Sequence, residues 1–285
     1  MSTIPPMWSW QEFVDRAEAP DTIADGQGRK QRKDNSWAGA TWEEALTLAK
    51  YGWTVPLPEV DVAVAALRDD IQVRAGGVSS LVPIWDVTGS EVDVAAYLAG
   101  VPECMIDWDP RALSAHGRVV TFLVPAGYPN TVPGAHVMNR GVALAALCSA
   151  IISAAHSVEV WSGDAGFLPR RAGVGRDRYV AVARVISAGE PLDVARLLFA
   201  MAHPAMLRRL WFGVWDSAEA GFAARTKSNN YGWAGPCAVT DLPGDRTDAY
   251  VFPPLVEGER QWQSPEAALA WCTTTFTTLG LLAAP

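Results

Sequence analysis

Cysteine is scarce in this sequence, and its placement excludes two classes of protein. Four of the 285 residues are cysteine, and no C-x-x-C pair occurs; they are Cys104, Cys148, Cys237 and Cys272. A disulfide framework or a structural zinc site needs closer and more regular spacing. We therefore expect free, mostly buried thiols in a reducing compartment, which favours a cytoplasmic location.

Positive charge is also in short supply. The chain has 23 basic and 31 acidic residues, which gives a net charge of −8. A general nucleic-acid binder carries a basic excess instead, so nucleic acid is open as a partner but is not favoured. No charged-then-apolar signal begins the sequence, and the most apolar run, 141–155, is too short to cross a bilayer. We expect no membrane contact.

The familiar catalytic motifs are missing as well. The sequence contains no P-loop, no G-x-G-x-x-G after a predicted strand, no G-x-S-x-G and no H-E-x-x-H. Its four histidines have no metal-ligand spacing; they are His116, His136, His156 and His203. With no nucleotide motif and no acid–base pair, the sequence favours a protein that is not an enzyme.

Two helix-start signals are present near the N-terminus. Ser9-Trp10-Gln11-Glu12 and Thr41-Trp42-Glu43-Glu44 have the pattern of capping boxes, and Gly52 is placed to end the second helix. We predict that residues 1–55 form an N-terminal helical extension. Because two short helices bury too little surface to fold alone, we expect the extension to pack on the rest of the chain.

From residue 78 the pattern changes to alternating strands and helices. Strands are predicted at 81–85, 118–124, 157–161, 178–185 and 249–252. The two at 157–161 and 178–185 are expected to form a hairpin or to be near neighbours. Helices are predicted at 93–99 and 140–155, from Glu190-Pro191 to a break at His203-Pro204, and from Ser264 to Gly280. This order predicts an α/β core domain over 78–285, with a mainly parallel central sheet and helices on both faces.

One string at the end of the first predicted core strand could bind a metal. Asp86, Thr88 and Ser90 place three oxygen ligands at alternate positions, where ligands of open α/β sheets bind, and such ligands suit Mg²⁺ or Ca²⁺. The string resembles the Asp-x-Ser-x-Ser motif in the metal-ion-dependent adhesion site of von Willebrand factor A domains, with threonine at the first serine. Alternatively, Ser90 and Asp93 cap the next helix, and Thr88-Gly89 is a turn.

The resemblance to von Willebrand factor A domains has further implications. It implies a distal aspartate, for which Asp164 in Gly163-Asp164-Ala165-Gly166 is the candidate, and a threonine, for which Thr131 is a weaker one. It also implies a core that is von Willebrand A-like, while the strand–helix order equally suits a Rossmann-like sheet.

A second candidate site is an arginine-rich segment after Asp164. Its members are Arg170, Arg171, Arg176 and Arg178. Such a cluster could contact an anionic ligand or a nucleic-acid backbone. A solvated hairpin loop is the alternative interpretation.

Several longer strings resemble an uncharacterised family carried by bacteriophages and related mobile elements. They are residues 86–94, residues 97–105, Asn139-Arg140-Gly141 and Ser157-Val158-Glu159-Val160-Trp161. That family is a domain of unknown function, so the resemblance implies a setting, the cytoplasm of the host cell, and no mechanism.

Three functions therefore remain open. The first is a non-catalytic binding or scaffold protein of a phage or mobile element, with a protein partner or a second copy of itself. The second is a divalent-metal-dependent binder or enzyme using Asp86, Thr88, Ser90 and Asp164. The third is a nucleic-acid-associated protein using the arginine-rich loop. The lack of catalytic and nucleotide motifs favours the first.

Overall fold

A computed structural model describes residues 2–23, 30, 37–70, 79–112, 118–153, 156–170 and 174–279. The helices are α1 (Trp10–Glu18), α2 (Trp42–Tyr51), α3 (Leu57–Asp70), α4 (Val94–Leu98), α5 (Gly134–Ser153), α6 (Val194–Ala202), α7 (Phe212–Asp216), α8 (Ala220–Ser228) and α9 (Pro265–Thr278), with a π-helix at Met206–Trp211. The strands are β1 (Ser2–Thr3), β2 (Ser79–Asp86), β3 (Glu91–Val92), β4 (Met105–Ala112), β5 (Val119–Pro125), β6 (Ser157–Pro169), β7 (Arg176–Ile186), β8 (Trp233–Ala234) and β9 (Tyr250–Val251).

The chain divides into two compact units, and the division differs from the predicted domains. Unit 1 comprises residues 1–73 and 118–285, and unit 2 comprises residues 74–117. The predicted extension therefore belongs to the same unit as most of the predicted core. Unit 2 is separate because β2 pairs antiparallel with β4, a strand that the sequence pattern did not predict, and β3 pairs with β4 as well.

The main sheet is mixed, and not mainly parallel as predicted. Its order is β1-β7-β6-β5-β9, with β8 pairing with β6. β5 is parallel to both β6 and β9, while β6 and β7 form a long antiparallel pair. The predicted hairpin is confirmed, and it is the reason for the mixed sheet, because strands joined by a short connection pair antiparallel.

One face of the sheet carries the helices. On that face Phe122 of β5 packs edge-on against Phe276 of α9, with ring centroids 5.5 Å apart. The opposite buried cluster combines strand residues with Cys237, Leu242 and Ala249 from an irregular segment. Among the described residues this second cluster contains no α-helical residue. In the buried core the helices therefore cover one face of the sheet, and not both faces as predicted.

Local signals fixed several helix boundaries. Thr41 and Glu44 form the predicted capping box of α2, and Gly52 follows that helix at φ 82°. In α1 only half of the box forms, because the Glu12 carboxylate accepts from the backbone N–H of Trp8. Helix α6 begins after Asp193, later than predicted, because the Asp193 side chain caps its first turn. Ser264 caps α9 as predicted, and the predicted end at Gly280 lies outside the described residues.

Helix α5 is the one described helix long and apolar enough to cross a membrane. It has 20 residues, and 67% of its most apolar window is buried inside the protein. Such burial is typical of the core helix of a soluble protein, so the helix is weak evidence for a membrane. All four cysteines are free thiols, and Cys148, Cys237 and Cys272 are buried.

Candidate ligand-binding cavity

A cavity of about 660 Å³ lies in unit 1 where the chain leaves β5. This volume is in the range that small-molecule sites occupy, and the position is the one where ligands of α/β sheets bind. Six aromatic side chains lie in its wall, and two arginines and one carboxyl group contribute charge. The lining includes Trp37, Gly127, Tyr128, Asn130, Asp164, Tyr179, Arg208, Arg209, Phe212, Tyr231 and Trp233.

Asp164 lies in the wall of this cavity and inside a strand, whereas the predicted strand ended at Trp161. Strand β6 continues to Pro169, so Asp164 is a mid-strand residue. The last β5 residue, Pro125, pairs with Gly163, which makes Asp164 the first residue of β6 beyond the carboxyl end of β5. The predicted strand at 157–161 was therefore too short, and Asp164 lies at the edge formed by the carboxyl end of β5.

Two tryptophans fix the polar side chains of β6. The indole N–H of Trp211 donates to Ser162 Oγ at 3.2 Å, and that of Trp215 donates to Asp164 Oδ2 at 2.7 Å. Residues two apart on a strand are about 6.6 Å apart, and residues four apart on a helix are about 6 Å apart, so the two pairs match in register. The arrangement holds the Asp164 carboxyl group at the cavity wall.

Burial changes the acidity of Asp164. The side chain is removed from water, and this raises its pKa to about 7, against a smaller lowering by the Trp215 hydrogen bond. The carboxyl group therefore changes protonation near neutral pH, so it can act as a hydrogen-bond donor or as an anion. Gly127 allows the loop to approach it, since a Cβ there would lie 2.9 Å from Asp164 Oδ1.

The π-helix supplies the positive charge. The Arg208 guanidinium lies over the rings of Trp37, at 4.7 Å, and Tyr128, at 5.2 Å, and it donates to the Trp37 carbonyl oxygen. Its neighbour Arg209 is buried and donates from Nε to the Ala40 carbonyl oxygen at 3.0 Å. π-helical turns occur often at functional sites.

A left-handed turn forms another part of the wall. Asn230 and Tyr231 have φ values of 49° and 62°, which are uncommon for residues other than glycine. The Tyr231 hydroxyl donates to the Asp216 carboxylate, at 2.8 Å from Oδ1, and the ring stacks on Phe212. Such backbone strain is concentrated at functional sites, where the surrounding packing maintains it.

The residues of the predicted metal site fall in two different units. Asp86, Thr88 and Ser90 belong to unit 2, whereas Asp164 belongs to unit 1. Their grouping assumed a shared edge of one parallel sheet, and β2 instead belongs to a separate antiparallel sheet. Thr131 is exposed in the loop after β5. Within the described ranges, no group of three or more His, Cys, Asp or Glu side chains is arranged to hold a metal ion.

The Asp86 string itself has local partners. Asp86 Oδ1 accepts from the Val87 N–H at 2.6 Å, and Ser90 Oγ lies 3.4 Å from the Ile106 carbonyl oxygen. A Cβ on Gly89 would lie 2.6 Å from that same oxygen, so the turn needs glycine. Asp93 caps α4 by accepting from the N–H groups of Ala95 and Ala96. Asp93 therefore caps the helix as the alternative proposed, whereas Ser90 contacts β4 and takes no part in the cap.

The predicted arginine cluster is divided among different contacts. Arg178 makes a two-pronged ion pair with Asp241, with distances of 2.8 and 2.6 Å. Arg170 pairs with Asp177 at 3.4 Å, and the Arg176 guanidinium lies over the ring of Trp233 at 4.2 Å. Arg171 lies outside the described residues. Of the described members only Arg170 and Arg176 are exposed.

No motif in the sequence predicts the residues that accompany Asp164 in the cavity. Tyr128, Arg208 and Tyr231 come from three separate segments, and none belongs to a recognisable motif. One signal was available: Arg208 and Arg209 interrupt an otherwise apolar run from Met206 to Phe212. Paired arginines within a buried helical run need partners, so this pattern indicates a polar site inside the fold.

The fold and the cavity define a mixed α/β protein with a separate small antiparallel unit. The chain belongs to the family described as Domain of unknown function (DUF7192), whose model matches residues 2–283. No curated protein and no solved structure matches the chain.

Proposed function

We propose that this protein is a non-catalytic binding protein that holds a small, ring-containing molecule in the cavity beside Asp164. The observation that carries the proposal is the cavity itself, because it combines aromatic walls with a single carboxyl group of raised pKa. Asp164 is the one carboxyl group of the cavity lining, so the described wall offers binding groups without an acid–base pair.

Aromatic side chains favour a flat ligand. Trp37, Phe212 and Trp233 lie on the cavity wall, and ring faces bind planar groups by stacking. Protonated Asp164 can donate a hydrogen bond, and Arg208 can contact an electron-rich ring or an acidic group. These are the few polar groups that a mainly apolar site uses to orient its ligand.

The cavity can be tested by filling it. Asn130 is an exposed lining residue, so Asn130→Trp should occupy the cavity, whereas Thr131→Trp adds the same ring at an exposed neighbour outside the lining. We expect indole, benzamide or adenine to stabilise the wild type by about 1.4 kcal/mol at ten times its Kd. This stabilisation by the compounds should be absent in Asn130→Trp and unchanged in Thr131→Trp.

Thermal unfolding and saturation-transfer NMR with the three compounds provide the measurement. If none of the three binds the wild type, or if Asn130→Trp binds as well as Thr131→Trp does, the cavity is not the ligand site and the proposal is wrong.

Unit 2 supports a second role, binding of a protein partner. Seven of its large apolar side chains are between 43% and 79% exposed; they are Trp85, Val87, Val92, Val94, Tyr97, Leu98 and Val101. Residues 85–107 also contain five acidic residues and no lysine or arginine. An apolar surface with an acidic rim fits a partner with a basic rim, and a second copy would bring like charges together.

The double substitution Tyr97→Ser with Leu98→Ser should weaken such binding at least about tenfold, since apolar contacts at an interface centre contribute most of the affinity. The probe is a synthetic amphipathic peptide of lysine and leucine, followed by fluorescence anisotropy. A lysine–glycine peptide of equal charge is the probe control, and Val174→Ser, at a 97% exposed residue of unit 1, is the matched variant.

Equal binding of both peptides would exclude an apolar docking surface on unit 2. Sedimentation that shows a wild-type dimer lost in the double variant would assign the surface to a second copy instead of a basic partner.

The setting of this binding protein is also a proposal. The resemblance of residues 86–94, 97–105, 139–141 and 157–161 to phage proteins supports an origin in a bacteriophage or related mobile element. The free thiols support the cytoplasm of the host cell. Strand β5 lies between two parallel neighbours, and this arrangement supports a relationship of the fold to Rossmann-like or von Willebrand A-like sheets. The genes next to the coding sequence test the origin, and phage structural or replication genes are expected there.

A further inference from the structure

Arg140 is a buried cation whose hydrogen-bonding capacity is mostly unused. It projects from α5, is 2% exposed, and donates from Nη2 to the Pro125 carbonyl oxygen at 3.1 Å. Its Nε and Nη1 atoms are buried and have no hydrogen-bond partner. Burial lowers the pKa of Arg140 to about 10, so the group is still charged at neutral pH. Buried charges are normally paired, and this one calls for an acceptor.

Tyr128 has the same property and lies close to the cavity. Its hydroxyl group is buried without a hydrogen-bond partner, and its side chain lines the cavity. Burial raises the pKa of Tyr128, while the charges of Arg208 and Arg140 lower it. Arg140 and Tyr128 are therefore close enough to interact electrostatically, and both come from the segments that begin at the carboxyl end of β5.

The groups whose charge acts on Arg140 leave two of its nitrogen atoms without a hydrogen bond. The groups whose charge acts on Arg140 are Tyr128 and Cys237, both protonated at neutral pH because burial raises the pKa of each, and Glu259. None of them accepts a hydrogen bond from Arg140 Nε or Nη1. A neutral acceptor would satisfy the hydrogen bonds but would leave the positive charge unpaired, whereas an oxyanion satisfies both.

We propose that Arg140 and Tyr128 form an anion-binding subsite at the carboxyl end of β5, which receives the carboxylate or phosphate group of the cavity ligand. This inference rests on the proposed function, because it makes the ring-containing ligand an acidic one. The guanidinium supplies charge-assisted donors, and the Tyr128 hydroxyl supplies a further donor at the cavity wall.

Inorganic phosphate tests the subsite without any ring. We expect sodium phosphate to raise the wild-type Tm by about 3 °C at ten times its Kd, relative to sodium chloride of equal ionic strength. Arg140→Met should fold and be at least as stable as the wild type in chloride, because an apolar side chain of similar length replaces a buried unpaired charge. It should show no phosphate shift. Arg176→Met removes an exposed arginine and should keep the full shift.

Two matched ring compounds separate this inference from the cavity proposal. Wild-type protein should bind benzoate more tightly than benzamide, and Arg140→Met should bind both equally. Equal Tm values in phosphate and chloride for the wild type, or an unchanged phosphate shift in Arg140→Met, would overturn the subsite. A phosphate shift lost in Arg140→Met, together with no binding of either ring compound, would support the subsite and contradict the cavity proposal.

Discussion

The wild type should lose about 4 kcal/mol of its unfolding free energy as pH rises from about 4 to about 7, and Asp164→Asn should not show this loss. Burial raises the pKa of Asp164 from 3.8 to about 7, so the folded protein keeps a proton that the unfolded chain has released. A raised folded-state pKa contributes stability that is fully present below pH 3.8 and is lost as pH rises through 7. Asparagine does not titrate, and its amide oxygen can still accept from the Trp215 indole.

The difference in unfolding free energy between Asp164→Asn and the wild type should depend on pH. At pH 4 the variant and the wild type should be similarly stable, and at pH 8 Asp164→Asn should be more stable, with most of the change between those values. Urea unfolding at half-unit pH intervals measures this difference. Ser162→Ala is the control, because it removes the neighbouring indole acceptor without a titratable group. Parallel pH curves for Asp164→Asn and wild type would show that the carboxyl group does not have a raised pKa.

Gly141→Leu should destabilise the protein by about 3 kcal/mol or more through overpacking between α5 and α6. A Cβ on Gly141 would lie 2.4 Å from Ala202 Cβ and 3.0 Å from Ala202 Cα, so the glycine lets the two helices approach closely. Gly141→Ala should cost less, because a single methyl group adds less volume at this contact than a leucine side chain does.

A glycine on the same helix provides the control. A Cβ on Gly134 would meet no atom within 4 Å, so Gly134→Ala should leave the stability unchanged or slightly higher. Guanidinium unfolding of the three variants measures the free energies. Equal stability of Gly141→Ala and Gly134→Ala would mean that the helices separate without cost, which contradicts a tight α5–α6 contact.

Features formed by neighbours in sequence could be predicted. The Thr41 capping box, the Ser264 cap of α9 and the β6–β7 hairpin all depend on side chains or turns a few residues apart. Helix α3 and strand β4 were missed, because their residues show neither a cap signal nor a clear periodicity. The pattern of strand β2 was recognised, but its partner was not, since a short apolar run looks the same in parallel and antiparallel sheets.

The candidate site could be predicted only in part, and Asp164 shows why. Its position next to the apolar run 157–161 was visible in the sequence, but the continuation of that strand to Pro169 was not. Residues near the carboxyl end of a buried strand tend to lie at a ligand-binding edge. Its grouping with Asp86 was not reliable, because it assumed that β2 belongs to the same sheet. The partners that define the cavity, Tyr128, Arg208 and Tyr231, are brought together by long-range packing.

The caps, the main strands, the free thiols and the net negative charge follow from the sequence, because each depends on local hydrogen bonding or on composition. Long-range packing decides which strands share a sheet, buries Asp164 beside Trp215, and leaves Nε and Nη1 of Arg140 without a hydrogen-bond partner. Burial is a property of the whole packed unit, and it is burial that shifts the Asp164 pKa and makes an unpaired arginine costly.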